Sequence, residues 1–305
     1  MNYCTPEDEA ETRDVYPARD AERSEQIFTS EKREMLARIE APIGVFDSGA
    51  GGLTILAALR KELPGENYTY FGDTAHCPYG MRSEAEITEL TLTACHFLIE
   101  QGVKLIVVGC NTASQAALSP LRATISSVSF VGVVPAVKPA ARVTKRGCIG
   151  VLATNQASKA AYLHQLIDDF AEGIQVHVAG CPELVTLVEH GKLDGPVVEE
   201  TLCHVLQPLL SEGIDVLVLG CTHFPALRPA IAHVVGKNVQ IIDSGTAIAR
   251  RTHAILLAEG SIHPLGNHQV TSGELQIWCS GDAQAFSEVA SKILGYPVIA
   301  HQITL

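Results

Sequence analysis

The sequence lacks any run of about 18 apolar residues, the length a helix needs to cross a bilayer. Its first residues, MNYCTPEDEAETRD, carry neither a basic n-region nor an apolar h-region. Membrane insertion and secretion are therefore not expected, and a cytoplasmic protein is. A Lys/Arg cluster is also missing, and the formal net charge is -12, so nothing offers the electropositive footprint that nucleic acid or an anionic membrane requires. The nine cysteines are sparse for 305 residues and odd in number, which speaks against a disulfide framework and for reduced thiols. No CxxC or HExxH is found, so no metal is expected, and neither GxxxxGK[ST] nor GxGxxG is found, which argues against a nucleotide cofactor.

What is present begins with a charged arm. Residues 1–40 hold eleven acidic against six basic residues and few apolar ones, which predicts a partly disordered or regulatory extension. Its second half, Glu22 to Glu40, has Ile27, Phe28, Met35, Leu36 and Ile39 loosely on one face of a predicted helix. After Pro42 short apolar, β-branched runs alternate with helical patterns, as in a parallel sheet wrapped by helices. Strands are expected at 43–46, 68–71, 105–109, 130–134, 148–152, 176–179, 216–220, 240–243 and 275–279. Helices are expected at Ser83 to Glu100, with Ser83 as N-cap, and at Ala157 to Phe170, Pro196 to Leu210 and Ala247 to Glu259.

Two internal echoes organise this pattern. LIVVGCNTAS (105–114) resembles VLVLGCTHFP (216–225), and VFDSG (45–49) resembles IIDSG (241–245), with the order of the two motifs inverted between the echoes. The inversion excludes a plain tandem repeat. It is compatible with two similar doubly wound α/β domains with mostly parallel sheets, the second inserted into the first. The chain is expected to cross between them near Val134 to Arg142 and again near Ser244 to Arg250. The expected division is 41–138 plus 247–305 for the first domain and 139–246 for the second, with the active site in the cleft between them.

Ligands of open α/β sheets bind beyond the carboxyl ends of the strands, where helix N-termini point outward. Cys110 and Cys221 fall at that place in both echoes, and a partly exposed thiol near a helix N-terminus is expected to favour its thiolate. Cys77, Cys95, Cys148, Cys181, Cys203 and Cys279 have no such pairing and are assigned to packing. FDSGAGG (46–52) leaves a strand through a glycine-rich turn, which suits a carboxylate or ammonium ligand better than a nucleotide; Asp47 fits that role or a helix cap. Cys221 and His223 invite a zinc reading, but no second close ligand pair accompanies them. Two thiols in equivalent settings suit stereochemical inversion, in which one group removes a proton as the other delivers one from the opposite face.

Taken together, VFDSGAGGL, DTAHCPYG, VVGCNTAS, VGVVPAVKPAA, GVLAT and VLGCTHFP resemble the motifs of bacterial glutamate racemases, within the aspartate/glutamate racemase superfamily. The similarity runs in order from about Pro42 to about Arg251 and more weakly beyond. The resemblance implies cofactor-independent interconversion of L- and D-glutamate, supplying D-glutamate for peptidoglycan. It makes Cys110 and Cys221 the acid/base pair, Asp47 the support of Cys110, and His223 that of Cys221, with Glu189 in LVEHG near the second cysteine unless it is a helix-surface residue. Asp47, Ser48, Tyr79, Gly80, Asn111, Thr112, Thr222 and His223 would hold glutamate. After GVLAT the family often has Gly-Thr where this chain has Gln156-Ala157, which puts one hydroxyl contact in doubt. Members with N-terminal extensions resemble those that need a nucleotide-linked wall precursor as activator, and residues 1–40 leave that partner open here. Monomer and homodimer both remain open. The rival readings are an aspartate or hydantoin racemase, which a substrate panel separates, and a small-molecule binding protein without catalysis, which isotope exchange separates.

Overall fold

The computed structural model describes residues 32–33, 35–159, 161–264 and 273–305. The chain divides into two units, Met1–Arg38 and Ile39–Leu305. Of the helix expected over 22–40, residues 32–33 and 35–40 are helical and the remainder lies outside the described residues.

The larger unit is built on two sheets, and every strand pairing among the described residues is parallel. The strands of the first are β1 (Ile43–Asp47), β2 (Tyr68–Gly72), β3 (Leu105–Val108), β4 (Ser129–Gly132), β9 (Leu275–Cys279) and β10 (Ala300–Gln302), in the order β10-β9-β2-β1-β3-β4. Those of the second are β5 (Cys148–Ala153), β6 (Gln175–Gly180), β7 (Val216–Leu219) and β8 (Gln240–Ile242), in the order β6-β5-β7-β8. Counted from its own first strand, each sheet contains the run 2-1-3-4. The two GC motifs leave the same strand of that run. The DSG echoes do not correspond in this way, since one follows β1 and the other β8.

Burial explains why these strands read as nearly unbroken apolar runs. Ile43 and Val45 face one core with Leu105 and Val107, while Phe46 faces another with Ile106 and Val108. Leu217 and Leu219 likewise join one core of the second sheet, and Val216 and Val218 the other. The side chains alternate with the period of two that a pleated strand imposes, and helices cover both faces. Each fully buried Leu, Ile or Val contributes roughly 1.5–3 kcal/mol relative to exposure, so a register slip in a central strand would be costly.

Among the helices are α1 (Leu53–Glu62), α2 (Glu84–Glu100), α3 (Asn111–Thr124), α4 (Val137–Val143), α5 (Asn155–Lys159), α6 (Ala161–Phe170), α7 (Pro182–Glu189), α8 (Pro196–Ser211), α9 (Arg228–Val235), α10 (Gly245–Ala258) and α11 (Ala283–Leu294). Ser83 caps α2, accepting from the Glu86 amide, as expected. The helix expected from Ala157 begins earlier, at Asn155, because the Thr154 hydroxyl accepts from the Ala157 amide and starts the turn ahead of the apolar pattern; residue 160 lies outside the described residues. Strand β10 was not foreseen; it has only three residues, two of them exposed. Where the chain passes between the sheets, the Ser244 hydroxyl donates to the Val134 carbonyl at 2.5 Å, tying the two passages together. No helix among the described residues is long and apolar enough to cross a membrane.

Candidate active site

The site forms at the carboxyl ends of β1, β3 and β7. Cys110 lies two residues beyond β3 and is the N-cap of α3, its Sγ accepting from the Ala113 amide at 3.4 Å. Cys221 lies two residues beyond the matching β7, but the chain there turns through Thr222 and His223 into a short 3-10 turn, Phe224–Leu227, before α9 begins. This local difference gives each thiol its own partners. Ser48 Oγ lies 3.6 Å from Cys110 Sγ, while His223 Nδ1 lies 3.5 Å from Cys221 Sγ.

Both thiols are buried, only 6% exposed, which corrects the expectation of partly exposed cysteines. For Cys110 the consequence opposes the helix dipole: burial and the neighbouring Asp47 charge push its thiol up to about 12, with the α3 amide and Ser48 working against them. The Cys221 charge also raises it, so the two sulfurs sit within electrostatic reach of one another.

Asp47 is fully buried at the end of β1. Its Oδ1 accepts from the Gly49 amide at 2.8 Å and its Oδ2 from the Thr222 hydroxyl at 3.1 Å, joining the first sheet to the Cys221 loop. Burial raises its carboxyl, although the His223 charge pulls the other way. The Thr54 hydroxyl strengthens the same seam by donating to the Thr222 carbonyl at 2.8 Å.

Glu189 is not a surface residue. Standing at the end of α7, its Oε1 accepts from the Ala50 amide at 2.7 Å and lies 2.5 Å from His223 Nε2. Burial works to raise the Glu189 carboxyl, but the His223 hydrogen bond and charge outweigh it and hold the carboxyl below its ordinary value. Burial would likewise lower His223, yet Cys221, Cys77 and Glu189 together hold the imidazole well above its usual range. An imidazolium therefore lies between a carboxylate and the Cys221 sulfur.

The glycines of DSGAGG make room for this arrangement. A Cβ on Gly49 would fall 2.1 Å from Glu189 Oε1, and one on Gly51 would fall 2.5 Å from His223 Nδ1. The turn reads as a ligand cradle in sequence, but its glycines also admit two side chains contributed from beyond residue 180.

The remaining expected residues occupy different positions. Asn111 and Thr112 are buried in the first turn of α3, and Asn111 Oδ1 has no hydrogen-bond partner among the described residues. Asn111 and Cys221 line a cavity of about 180 Å³. Gly80, Thr112 and Gln156 line a neighbouring one of about 410 Å³, so Gln156 brings an amide to the wall where a glycine was expected, and Ala157, in place of the hydroxyl residue, is buried. The Tyr79 hydroxyl is committed to Asp73 Oδ2 at 2.7 Å, which leaves Tyr79 to act through its backbone.

One functional neighbour escaped the sequence reading. Cys77, assigned there to packing, has its Sγ within 4.8 Å of ligand atoms of Glu189 and His223. The only signal was its place beside PYG, since no spacing links it to residues 112 and more positions away.

A pair of parallel α/β sheets, each with a thiol just beyond its third strand in the run, defines the α/β racemase class. A family model described as Asp/Glu/Hydantoin racemase matches residues 53–252, and the chain belongs to that family. It is 43% identical over 250 residues to a glutamate racemase of Herpetosiphon aurantiacus, covering 82% of this chain and 96% of that relative. A glutamate racemase structure from Bacillus anthracis matches with TM-score 0.76 at 33% identity, covering 87% of this chain and 98% of the other. The Escherichia coli glutamate racemase, solved with L-glutamate and the activator UDP-MurNAc-Ala, matches with TM-score 0.75 at 35% identity, covering 87% and 99%. Within the family this chain has the glutamate activity: it interconverts L- and D-glutamate, and D-glutamate supplies peptidoglycan synthesis.

Proposed function

We propose that Cys221 removes the α-proton of L-glutamate while Cys110 delivers a proton from the opposite face, and that the roles reverse for D-glutamate, without pyridoxal phosphate or metal. The observation that carries this is the asymmetry of the two thiols' surroundings. Cys221 has an imidazolium backed by a carboxylate beside it, a positive neighbour for negative charge on sulfur. Cys110, pushed up to about 12 by burial and Asp47, rests as the thiol that donates. One base and one acid are what a single inversion needs. Asp47 supports Cys110 by holding it as the proton-bearing thiol through its buried negative charge, and Glu189 positions His223.

Substrate contacts follow from the same geometry. The unpartnered Asn111 Oδ1 takes the ammonium group, while Ser48, Thr112, Thr222 and the backbone of Tyr79 and Gly80 hold the carboxylates. No Lys or Arg lies in DSGAGG, CNTAS or CTHFP, so the N-terminus of α3 supplies part of the field for the anionic substrate. The division into 41–138 plus 247–305 and 139–246 puts one cysteine in each domain, so closure of the cleft would bring acid and base together. A nucleotide-linked wall precursor is proposed as activator by likeness to the Escherichia coli enzyme, and a cytoplasmic location follows from such a soluble precursor.

Single replacements test the assignment. Cys110→Ser and Cys221→Ser should each abolish racemisation in both directions. With a glutamate analogue bearing a leaving group at Cβ, proton removal alone permits elimination, so Cys110→Ser should process mainly the L-analogue and Cys221→Ser mainly the D-analogue. Reversed preferences would overturn the direction, and a single variant that racemises at the native rate would overturn the two-base mechanism.

A further inference from the structure

We propose that Cys77, Glu189 and His223 form a binding site for a divalent cation of the zinc class, and that occupation of this site shuts the racemase off. The three ligand atoms all lie within 4.8 Å of one another. With Zn–S near 2.3 Å and Zn–N near 2.0 Å, ligand atoms around a tetrahedral zinc are about 3.5 Å apart, so side-chain shifts of about 1 Å close the set. One thiolate sulfur, one imidazole nitrogen and one carboxylate oxygen suit a borderline-soft cation that keeps a fourth, open position.

Three further features make the cluster more than a coincidence of side chains. The ligands are already oriented from behind: the Ala50 amide holds Glu189 Oε1, and Cys221 Sγ engages His223 Nδ1, which turns Nε2 toward the cluster. A route exists, because a cavity of about 290 Å³ lined by Thr74, Cys77, Pro78, Val185, Glu189 and Phe286 adjoins two of the ligands from outside the cysteine pair. Cys77 and Glu189 are partly exposed, the Glu189 side chain by 17%, whereas His223 is buried at the inner end.

Coordination releases the Cys77 thiol proton and the proton between His223 and Glu189, two protons for each divalent cation bound, with no change of oxidation state. The cation then occupies the position of the His223–Glu189 proton. A metal-bound Nε2 prevents His223 from cycling to imidazolium beside Cys221. The inhibitory consequence rests on the role of His223 proposed above, whereas the binding site itself does not.

The test uses the full-length reduced chain, dialysed against a chelator and then freed of it; this apo protein should be fully active. Cobalt(II) serves as the spectroscopic probe. One equivalent should bring a thiolate-to-cobalt charge-transfer band in the near ultraviolet and the visible absorption of a tetrahedral ion, both displaced by zinc, and zinc should lower activity by roughly tenfold or more. Cys77→Ala, compared with its own metal-free activity, should lose the thiolate band and escape zinc inhibition. Cys77→Val, which fills the volume, repeats the test if the alanine variant folds poorly. In the unmodified chain, zinc should protect the Cys77 peptide from iodoacetamide. Absence of a thiolate band would overturn the site, and a band and inhibition that survive both Cys77 variants would overturn it and put the metal on Cys110 and Cys221 instead. A Cys77-dependent band with undiminished activity would support the site and overturn both the inhibition and the role given to His223.

Discussion

Replacing Glu189 with Gln separates its charge from its shape. The glutamine oxygen can still accept from the Ala50 amide, which lies 2.7 Å from Glu189 Oε1, but the negative partner of His223 Nε2 is gone. A hydrogen bond to a charged group is worth about 1.5–3 kcal/mol, and about 1.4 kcal/mol is a factor of ten, so kcat/KM should fall about 10- to 100-fold. L- and D-glutamate are mirror images with an equilibrium constant of one, so kcat/KM must fall by the same factor in both directions; only kcat and KM taken singly can differ. The pH profile gives a second readout. Burial lowers His223, while Cys221, Cys77 and Glu189 raise it to well above its ordinary value. The imidazolium exists below that value, so activity that depends on it is lost as pH rises through it. Removing the Glu189 charge lowers the His223 value and should move the alkaline limb of kcat/KM to lower pH. Circular dichroism of glutamate in both directions across pH, with a thermal melt to check folding, makes the measurement. A variant within twofold of the parent and with an unmoved alkaline limb would refute the role of Glu189.

Gly51→Ala places a methyl 2.5 Å from His223 Nδ1 and 2.7 Å from Thr222 Oγ1, so it should cost about 1–3 kcal/mol in urea unfolding and impair catalysis more than a surface change would; parental kinetics would refute the packing argument. Lys104 and Glu66 form a buried ion pair at 2.5 Å, so Lys104→Met, which leaves the carboxylate uncompensated, should destabilise by about 3–5 kcal/mol, and a loss below about 1 kcal/mol would contradict it. Deleting residues 1–31 should leave cooperative unfolding within about 1 kcal/mol of the parent. Deleting 1–40 should cost about 1–3 kcal/mol more, because the carbonyls of Ile39 and Glu40 accept from Lys104 and Asn67; equal stability of the two truncations would argue against those bonds.

The sequence by itself determined the alternation of strands and helices, the mostly parallel character of the sheets and the pairing of Cys110 with Cys221. These are legible because they rest on local chemistry. A strand buried on both faces must be apolar at consecutive positions, as Val107 and Val108 or Val218 and Leu219 are, and a strand-end cysteine before a helical pattern is visible in a single window. Repetition of GC at the end of the third strand of each 2-1-3-4 run turned an ordinary cysteine into a candidate. The short β10 and the early start of α5 were illegible, since three mostly exposed residues carry no pattern and the Thr154 cap begins the helix ahead of the apolar spacing.

Tertiary structure alone decided the electrostatics. Whether Cys110 is a thiolate or a thiol depends on burial and on Asp47, 63 positions away, rather than on the helix N-terminus that the sequence displays. Glu189 becomes the partner of His223, and Cys77 their neighbour, only because α7 lays its last residue against the DSGAGG turn, where glycine leaves the space. Charge interactions act through distance and desolvation, and both are set by contacts between segments with no shared periodicity. Local pattern could therefore name the thiols, but only the packed molecule sets the charges around each of them and brings a third thiol beside them.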